Sequence, residues 1–381
     1  MINFIDLKRQ QNEIRKKIET RIKHVLDHGQ YIQGNEIFEL QERLCNFSKA
    51  NYTLCCSSGT DALLLGLQGL RMKPLDGVIV PSFTFASSAE AISILGGIPI
   101  FADVNKETFN LDPEVILKSI HTAKKENIKL TGIMTVGLFG QPCDMDPIIE
   151  IAKKNKIWVL DDAAQSFGGK YKNKYVGTLT EVTATSFFPA KPLGCYGDGG
   201  ALFTNNKKIY DIAYSAHLHG MGKKRYFYDR IGMNGRMDTI QAAILLEKLS
   251  IFKKELINRQ KIADLYFKYF KKLKTKISFQ NIIPNAQTSW AQFTIVLPKN
   301  IDRDLIQKKL FSKQIPTAIY YPIPLHKQKP YKKYPTPIDG LKNTEFLSKS
   351  VLSLPMHPYL KQKEIEYISF NLDKIINKMI T

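Results

Sequence analysis

The sequence predicts an α/β fold: a mostly parallel central sheet flanked by helices, with a smaller α+β C-terminal domain. Three observations carry this. Between residues 52 and 204, short apolar runs of strand length alternate with helix-patterned segments, the sequence form of a mostly parallel sheet. Past Asp238 the pattern changes to long helices and a few short strands. A chain of 381 residues also exceeds what one core usually serves, and we expect a large domain over residues 1–250 and a small one over 251–381.

Ile14, Ile18, Ile22, Val25 and Leu26 recur at helical spacing within residues 12–28, and Gly29 is a plausible stop. A second amphipathic helix after Gly34 carries Ile37, Leu40, Leu44 and Phe47. Residues 52–56 are strand-like, and Ser57-Ser58-Gly59-Thr60-Asp61 then leads into an apolar helix over 62–70. Strands are expected at 78–81, 98–103, 133–137 and 157–161, with helices at 87–95, 113–121 and 147–155 between them. Two more strands follow, at 182–188 and 200–204. Residues 239–270 read as one or two long helices with Ala242, Ile244, Leu245, Leu249 and Phe252 on one side. Strands at 289–297 and 317–321, a helix at 303–312 and a final helix at 363–379 complete the chain.

Hydrophobic content of 44% and charged content of 24% suit an ordinary soluble globular protein. No run of apolar residues is long enough for a membrane-spanning helix, and the first residues lack a signal-peptide pattern, so no membrane and a cytoplasmic location are expected. Five cysteines without a CxxC pair fit a reducing compartment. The formal charge of +20 admits nucleic acid or an anionic substrate as partner, and the lysines lie scattered in pairs along solvated faces.

The segment Thr185-Ser186-Phe187-Phe188-Pro189-Ala190-Lys191-Pro192-Leu193-Gly194-Cys195-Tyr196-Gly197-Asp198-Gly199-Gly200 joins two expected strands. Its prolines exclude a regular helix or central strand, and its glycines permit close backbone approach to a ligand. An arbitrary lysine is merely solvated. Lys191 instead sits between two prolines at the end of a core strand, and a pinned Cα with a reaching amine is what Schiff-base chemistry requires.

This segment closely resembles the active-site loop of the DegT/DnrJ family of sugar aminotransferases, enzymes of fold type I that use pyridoxal 5'-phosphate (PLP). The resemblance runs from Phe4-Ile5-Asp6-Leu7 to Pro358-Tyr359. It implies that Lys191 carries the cofactor as a Schiff base and serves as base and acid in turn. It implies that Asp162, in Asp161-Asp162-Ala163-Ala164-Gln165, pairs with the pyridine nitrogen, while Gln165 contacts the phenolic oxygen. A nearby carboxylate keeps that nitrogen protonated, and the protonated ring draws electrons from the substrate carbon. Taken alone, Asp162 is as readily a helix cap.

Free amides at a helix start make a phosphate site, and the resemblance assigns Gly59, Thr60 and Ser186 to the cofactor phosphate. It brings Asn234 to that phosphate from the other subunit of a homodimer with shared active sites. It places Phe85 on one face of the ring. On the substrate side, Arg236, Tyr320, Tyr321 and His326 are the candidates, because an arginine is the natural partner of a uronate or diphosphate. Phe188 to Gly200, the run around Arg236 and Ser353-Leu354-Pro355-Met356-His357-Pro358-Tyr359 resemble the branch acting on 3-oxo-glucuronate sugars. That branch commonly has His-Tyr-Pro where this chain has Tyr320-Tyr321-Pro322.

The implied reaction moves an amino group, with L-glutamate the usual donor, to C3 of a UDP-linked 2-acetamido-2-deoxy-3-oxo-uronate for surface polysaccharide such as lipopolysaccharide. A dTDP-linked 3-keto-6-deoxyhexose is the alternative. Two rivals are set aside. A PLP-dependent sugar dehydratase of this fold carries histidine in place of Lys191, and a basic regulator binding nucleic acid through Lys223-Lys224-Arg225 has no need of these motifs together. His217 and His219 lack a further ligand at metal-binding spacing, and no metal is expected.

Overall fold

The computed structural model describes residues 2–273 and 277–380. Helix α1 (Leu7–His28) begins at Leu7 rather than residue 12, because the Asp6 carboxylate accepts the Arg9 N–H at 3.0 Å and satisfies a first-turn donor. Gly29, at φ 70°, ends it. Next come α2 (Asn35–Ser48), β1 (Tyr52–Cys56), α3 (Gly59–Gly69), β2 (Gly77–Pro81), α4 (Ala86–Ile94), β3 (Ile98–Ala102), α5 (Pro113–Lys125), β4 (Leu130–Val136), α6 (Met145–Asn155) and β5 (Trp158–Asp162). A small hairpin of β6 (Lys170–Tyr171) and β7 (Lys174–Tyr175) precedes β8 (Val182–Ser186), β9 (Gly200–Thr204), α7 (Lys207–His217) and α8 (Thr239–Phe270).

Seven strands form the central sheet in the order β1-β9-β8-β5-β4-β2-β3. The run β8-β5-β4-β2-β3 is parallel, and β9 lies antiparallel to both β8 and β1. Side chains alternate between the faces as strand geometry demands. Val78 and Val80 face a core with Leu63, Leu65, Leu160 and Leu202, whereas Ile79 joins Ile100, Ile133 and Val159 in a second core under α5 and α6. Both faces are covered, which is why the strands read as continuous apolar runs.

The remaining elements are β10 (Ser278–Phe279), β11 (Ala286–Gln287), β12 (Phe293–Val296), α9 (Arg303–Phe311), α10 (Lys342–Ser350), β13 (Val351–Leu354) and α11 (Gln362–Ile380). β10, β12 and β13 make a three-stranded antiparallel sheet. Its core holds Phe293, Ile295, Leu352 and Leu354 with Ile365, Ile368, Leu372 and Ile376 of α11. α8 is a single helix of 32 residues. Its first half packs Ala242, Leu245 and Phe252 beside the large sheet, and its last turns place Ile262, Ala263 and Tyr266 in the small core. Residue 250 thus falls within one continuous helix.

Several elements differ from the sequence reading, which assigns none at β6, β7, β10, β11, α10 or β13. The strand expected at 317–321 reduces to one bridge between Ala318 and Ser353. Tyr320 and Tyr321 turn into the cavity described below, and Pro322 has no N–H with which to continue a ladder. Helix α7, which sequence reading left unassigned, buries Ile209, Ala213 and Ala216 against α3. Among the described residues, no helix is long and apolar enough to cross a membrane.

Candidate active site

The register of the sheet gathers the site. β9 runs against its neighbours, so Gly200 pairs with both Ser186 at the end of β8 and Cys56 at the end of β1. The loops leaving β1, β8 and β5 therefore meet at one edge, where ligands of α/β sheets collect. A cavity of about 450 Å³ opens there, with Lys191, Asp162, Gly59, Thr60, Ser186, Phe85, Gln165, Tyr320 and Tyr321 on its walls.

The Lys191 loop is held by its own backbone. Phe187 N–H donates to Gly199 O at 2.7 Å, Cys195 N–H to Phe187 O at 2.7 Å and Lys191 N–H to Phe188 O at 2.9 Å. Tyr196 N–H donates to Gln241 Oε1 of α8 at 3.0 Å. Lys191 and Asp162 both line the cavity. Burial lowers the Lys191 pKa, and the Asp162 charge opposes that shift. Burial raises the Asp162 pKa, opposed by the hydroxyl of Ser88, the N–H of Ala164 and the charge of Lys191. Ser88 Oγ donates to Asp162 Oδ2 at 2.7 Å, and Ala164 N–H to Oδ1 at 3.1 Å.

At the opposite end lies the start of α3. The first N–H groups of a helix have no intrahelical partner. Ser58 Oγ takes that of Asp61 at 3.1 Å, leaving those of Gly59 and Thr60 at the cavity wall. A Cβ on Gly59 would stand 2.6 Å from Ser186 Cβ, so only glycine lets α3 approach β8 this closely. Thr60 Oγ1 lies 2.8 Å from Ser87 Oγ. The exposed Phe85 ring and the small Ala164 also line the cavity, and the Phe85 centroid is 6.1 Å from that of Tyr321. Gln165 accepts the Phe139 N–H at 2.7 Å through Oε1 and donates through Nε2 to Tyr321 OH at 3.1 Å. Helix-start donors at one end, a buried carboxylate at the other, and an amine beside a flat aromatic slot fit a phosphorylated heteroaromatic aldehyde.

Three sequence-derived candidates lie off this wall. His326 is pinned between Ser82 Oγ, 2.8 Å from Nδ1, and Glu345 Oε1, 3.3 Å from Nε2, so both imidazole nitrogens are engaged with the protein. Arg236 pairs its backbone with Cys56, and its buried Nε has no partner among the described residues. Asn234 is exposed and bridges to Leu218. His217 is buried, which pushes its pKa down to about 4, and its Nδ1 lies 2.5 Å from Tyr214 O. Among the described residues, no group of three or more His, Cys, Asp or Glu is placed to hold a metal.

Sequence reasoning missed Ser87, Ser88, Asp198, Gln292 and Ile5. The serines were legible only as helix-start residues following Phe85. Gln292 lines the cavity with a buried Oε1 that lacks a partner among the described residues, and nothing in the strand pattern around it signals this.

The family model described as "DegT/DnrJ/EryC1/StrS aminotransferase family" matches residues 12–373. The UDP-2-acetamido-2-deoxy-3-oxo-D-glucuronate aminotransferase of Pseudomonas aeruginosa is 43% identical over 97% of this chain and 98% of its own length. A crystal structure of a DegT/DnrJ/EryC1/StrS aminotransferase from Brucella abortus superposes with a TM-score of 0.94 at 38% identity, covering 98% of this chain and 99% of that one. The ntda protein of Bacillus subtilis, solved with bound cofactor PMP, gives a TM-score of 0.86 at 30% identity, covering 96% and 82%. With the match extending over the fold and over the loops that build the cavity, the chain belongs to the DegT/DnrJ/EryC1/StrS aminotransferase family, whose PLP-dependent chemistry the cavity fits.

Proposed function

We propose that this aminotransferase transfers an amino group, from L-glutamate, to C3 of a UDP-linked 2-acetamido-2-deoxy-3-oxo-uronate. The single observation that carries the catalytic half is that Lys191, Asp162 and the helix start at Gly59 and Thr60 line one cavity. The 43% identity to the 3-oxo-glucuronate enzyme over nearly the full length supports the substrate.

The cofactor, when bound, supplies a carbonyl for the amine and a ring that withdraws electrons from the reacting carbon. Lys191 would hold it covalently through its amine, and the freed amine would take up and return a proton at the reacting carbon. Burial lowers its pKa, which favours the free-amine form that a base requires. Asp162 would keep the ring nitrogen protonated, Gly59, Thr60 and Ser186 would hold the phosphate, and Phe85 and Gln165 would contact the ring.

The sugar lies on the side of Tyr320, Tyr321 and Gln292. The unpartnered Gln292 Oε1 suits a hydroxyl or amide donor from the ligand, because a buried acceptor left unpaired costs about 1–3 kcal/mol. Asn234 and Arg236 serve the neighbouring site of a homodimer. Asn234 is exposed outside its own cavity, and the same segment exposes Tyr226, Phe227, Tyr228 and Ile231, an apolar face suited to a second copy.

An absorbance spectrum of the protein with PLP, before and after L-glutamate, tests the catalytic half. A visible band that glutamate bleaches is expected, and its absence in folded dimeric protein sinks the reading. Turnover of the UDP-3-oxo-uronate above dTDP-3-keto-6-deoxyhexose tests the substrate, and the opposite preference moves it to the second sugar.

A further inference from the structure

We propose that Ser88, braced by Thr84, is a positioning residue that orients Asp162 toward the cofactor's ring nitrogen and ties that end of the site to the phosphate end. The inference rests on the assignment of Asp162 made above. Ser88 is fully buried in the first turn of α4, and Thr84 is buried beside it. Ser88 Oγ donates to Asp162 Oδ2 at 2.7 Å and lies 3.1 Å from Thr84 Oγ1.

A hydroxyl has one proton. That of Ser88 is committed to the carboxylate, so the second contact must run from Thr84 O–H to Ser88 Oγ. The relay has one direction: Thr84 to Ser88 to Asp162. Ala164 N–H fixes the other carboxylate oxygen. Asp162 is therefore held from both sides, with lone pairs left for a ring N–H. The relay favours the ionised carboxylate in a site whose burial favours the neutral one.

The same short segment reaches the other end of the cavity. Ser87, next in sequence, meets Thr60 at the α3 start at 2.8 Å, and Phe85 supplies the ring face between. One turn of chain thus touches the phosphate cradle, the ring slot and the nitrogen-facing carboxylate. Its rigidity sets the distance between the two polar ends.

The test is the PLP dissociation constant of Ser88→Ala, Ser88→Thr and Thr84→Val, measured by tryptophan fluorescence from pH 5 to 9, with thermal melts of each apoprotein as folding controls. Ser88→Ala is expected to weaken PLP binding about ten- to hundredfold, the range for a hydrogen bond to a charged group. It is also expected to move the acid limb of the affinity profile to higher pH, since a carboxylate without its donor holds its proton longer. Ser88→Thr keeps the hydroxyl and should return the limb toward wild type. Thr84→Val, isosteric and one hydrogen bond further from Asp162, should move it the same way by less. An unmoved acid limb in folded Ser88→Ala and Thr84→Val overturns the inference, whatever the affinities. A wild type that binds no PLP overturns the cofactor assignment itself, a separate result from an unmoved limb in proteins that do bind.

Discussion

Among the described residues, two lysines have pKa values lowered by burial, and only one of them lies on the cavity. Lys191 stands on an irregular loop between two prolines, with Asp162 opposite and open space for a ligand. Lys248 stands within α8, 1% exposed, its Nζ without a partner among the described residues and 4.8 Å above the Tyr196 ring. Burial pushes Lys248 down to about 8, with Glu255 and Cys195 opposing. A shifted amine therefore does not mark a catalytic centre. What marks it is a cavity, a rigid loop and a carboxylate aimed at the same volume. Buried ionisable groups without these are packing features that cost stability.

The comparison breaks most sharply at Lys191. Lys191→Ala should lower the rate of the glutamate half-reaction by about 10⁴-fold, followed by stopped-flow absorbance, while the melting temperature stays near wild type. A modest loss would place the base elsewhere.

Removing the partner is next in size. Asp162→Asn should weaken PLP binding by about two to four orders of magnitude, in line with about 3–5 kcal/mol for one member of a buried charge pair. Equilibrium dialysis against PLP measures it.

Lys248 should behave in the opposite sense. Its folded pKa is depressed, so the folded state binds its proton less tightly than the unfolded one. The cost is fully present below pH 8 and fades as pH rises toward 10.5. Lys248→Met should raise stability by about 2–3 kcal/mol at pH 7, lose that advantage near pH 10, and leave the half-reaction rate unchanged. Urea unfolding at the two pH values reads it directly.

A smaller effect separates two adjacent carboxylates. Asp161, on the other face of β5, accepts from Thr135 Oγ1 at 2.8 Å, its Oδ2 has no partner among the described residues, and burial raises it to about 7. With a raised folded pKa, its contribution is most favourable below pH 4 and is lost as pH rises through 7. Asp161→Asn should therefore be stabilising by about 1–2 kcal/mol at pH 8 and neutral near pH 4, with PLP affinity kept.

Much of this was legible in the chain. The strand ends that place Asp162 and Ser186, the Ser58-Gly59-Thr60 helix start and the Lys191 loop all lie in contiguous stretches, where local pattern marks the elements and the family resemblance supplies the roles. Ser88 was not legible. It lies 74 positions before Asp162, and no local pattern tells a serine that caps a helix from one that bonds a distant carboxylate. His326 failed in the other direction, as a polar residue in a promising motif whose nitrogens the fold engages with Ser82 and Glu345. The helix at Lys207–His217 went unassigned although Ile209, Ala213 and Ala216 keep helical spacing, because small alanines give a weak apolar signal.

By itself the sequence determined what depends on near neighbours: alternation of strand and helix, glycine at a close approach, proline around a lysine, donors at a helix start. The tertiary structure alone decided what depends on distant ones. It set which of two lysines faces a cavity, which of two aspartates meets Lys191, and which hydroxyl orients it. Strand alternation turns Asp161 and Asp162 to opposite faces, but only the approach of α4, whose Ser88 bonds Asp162, makes one of those faces a site.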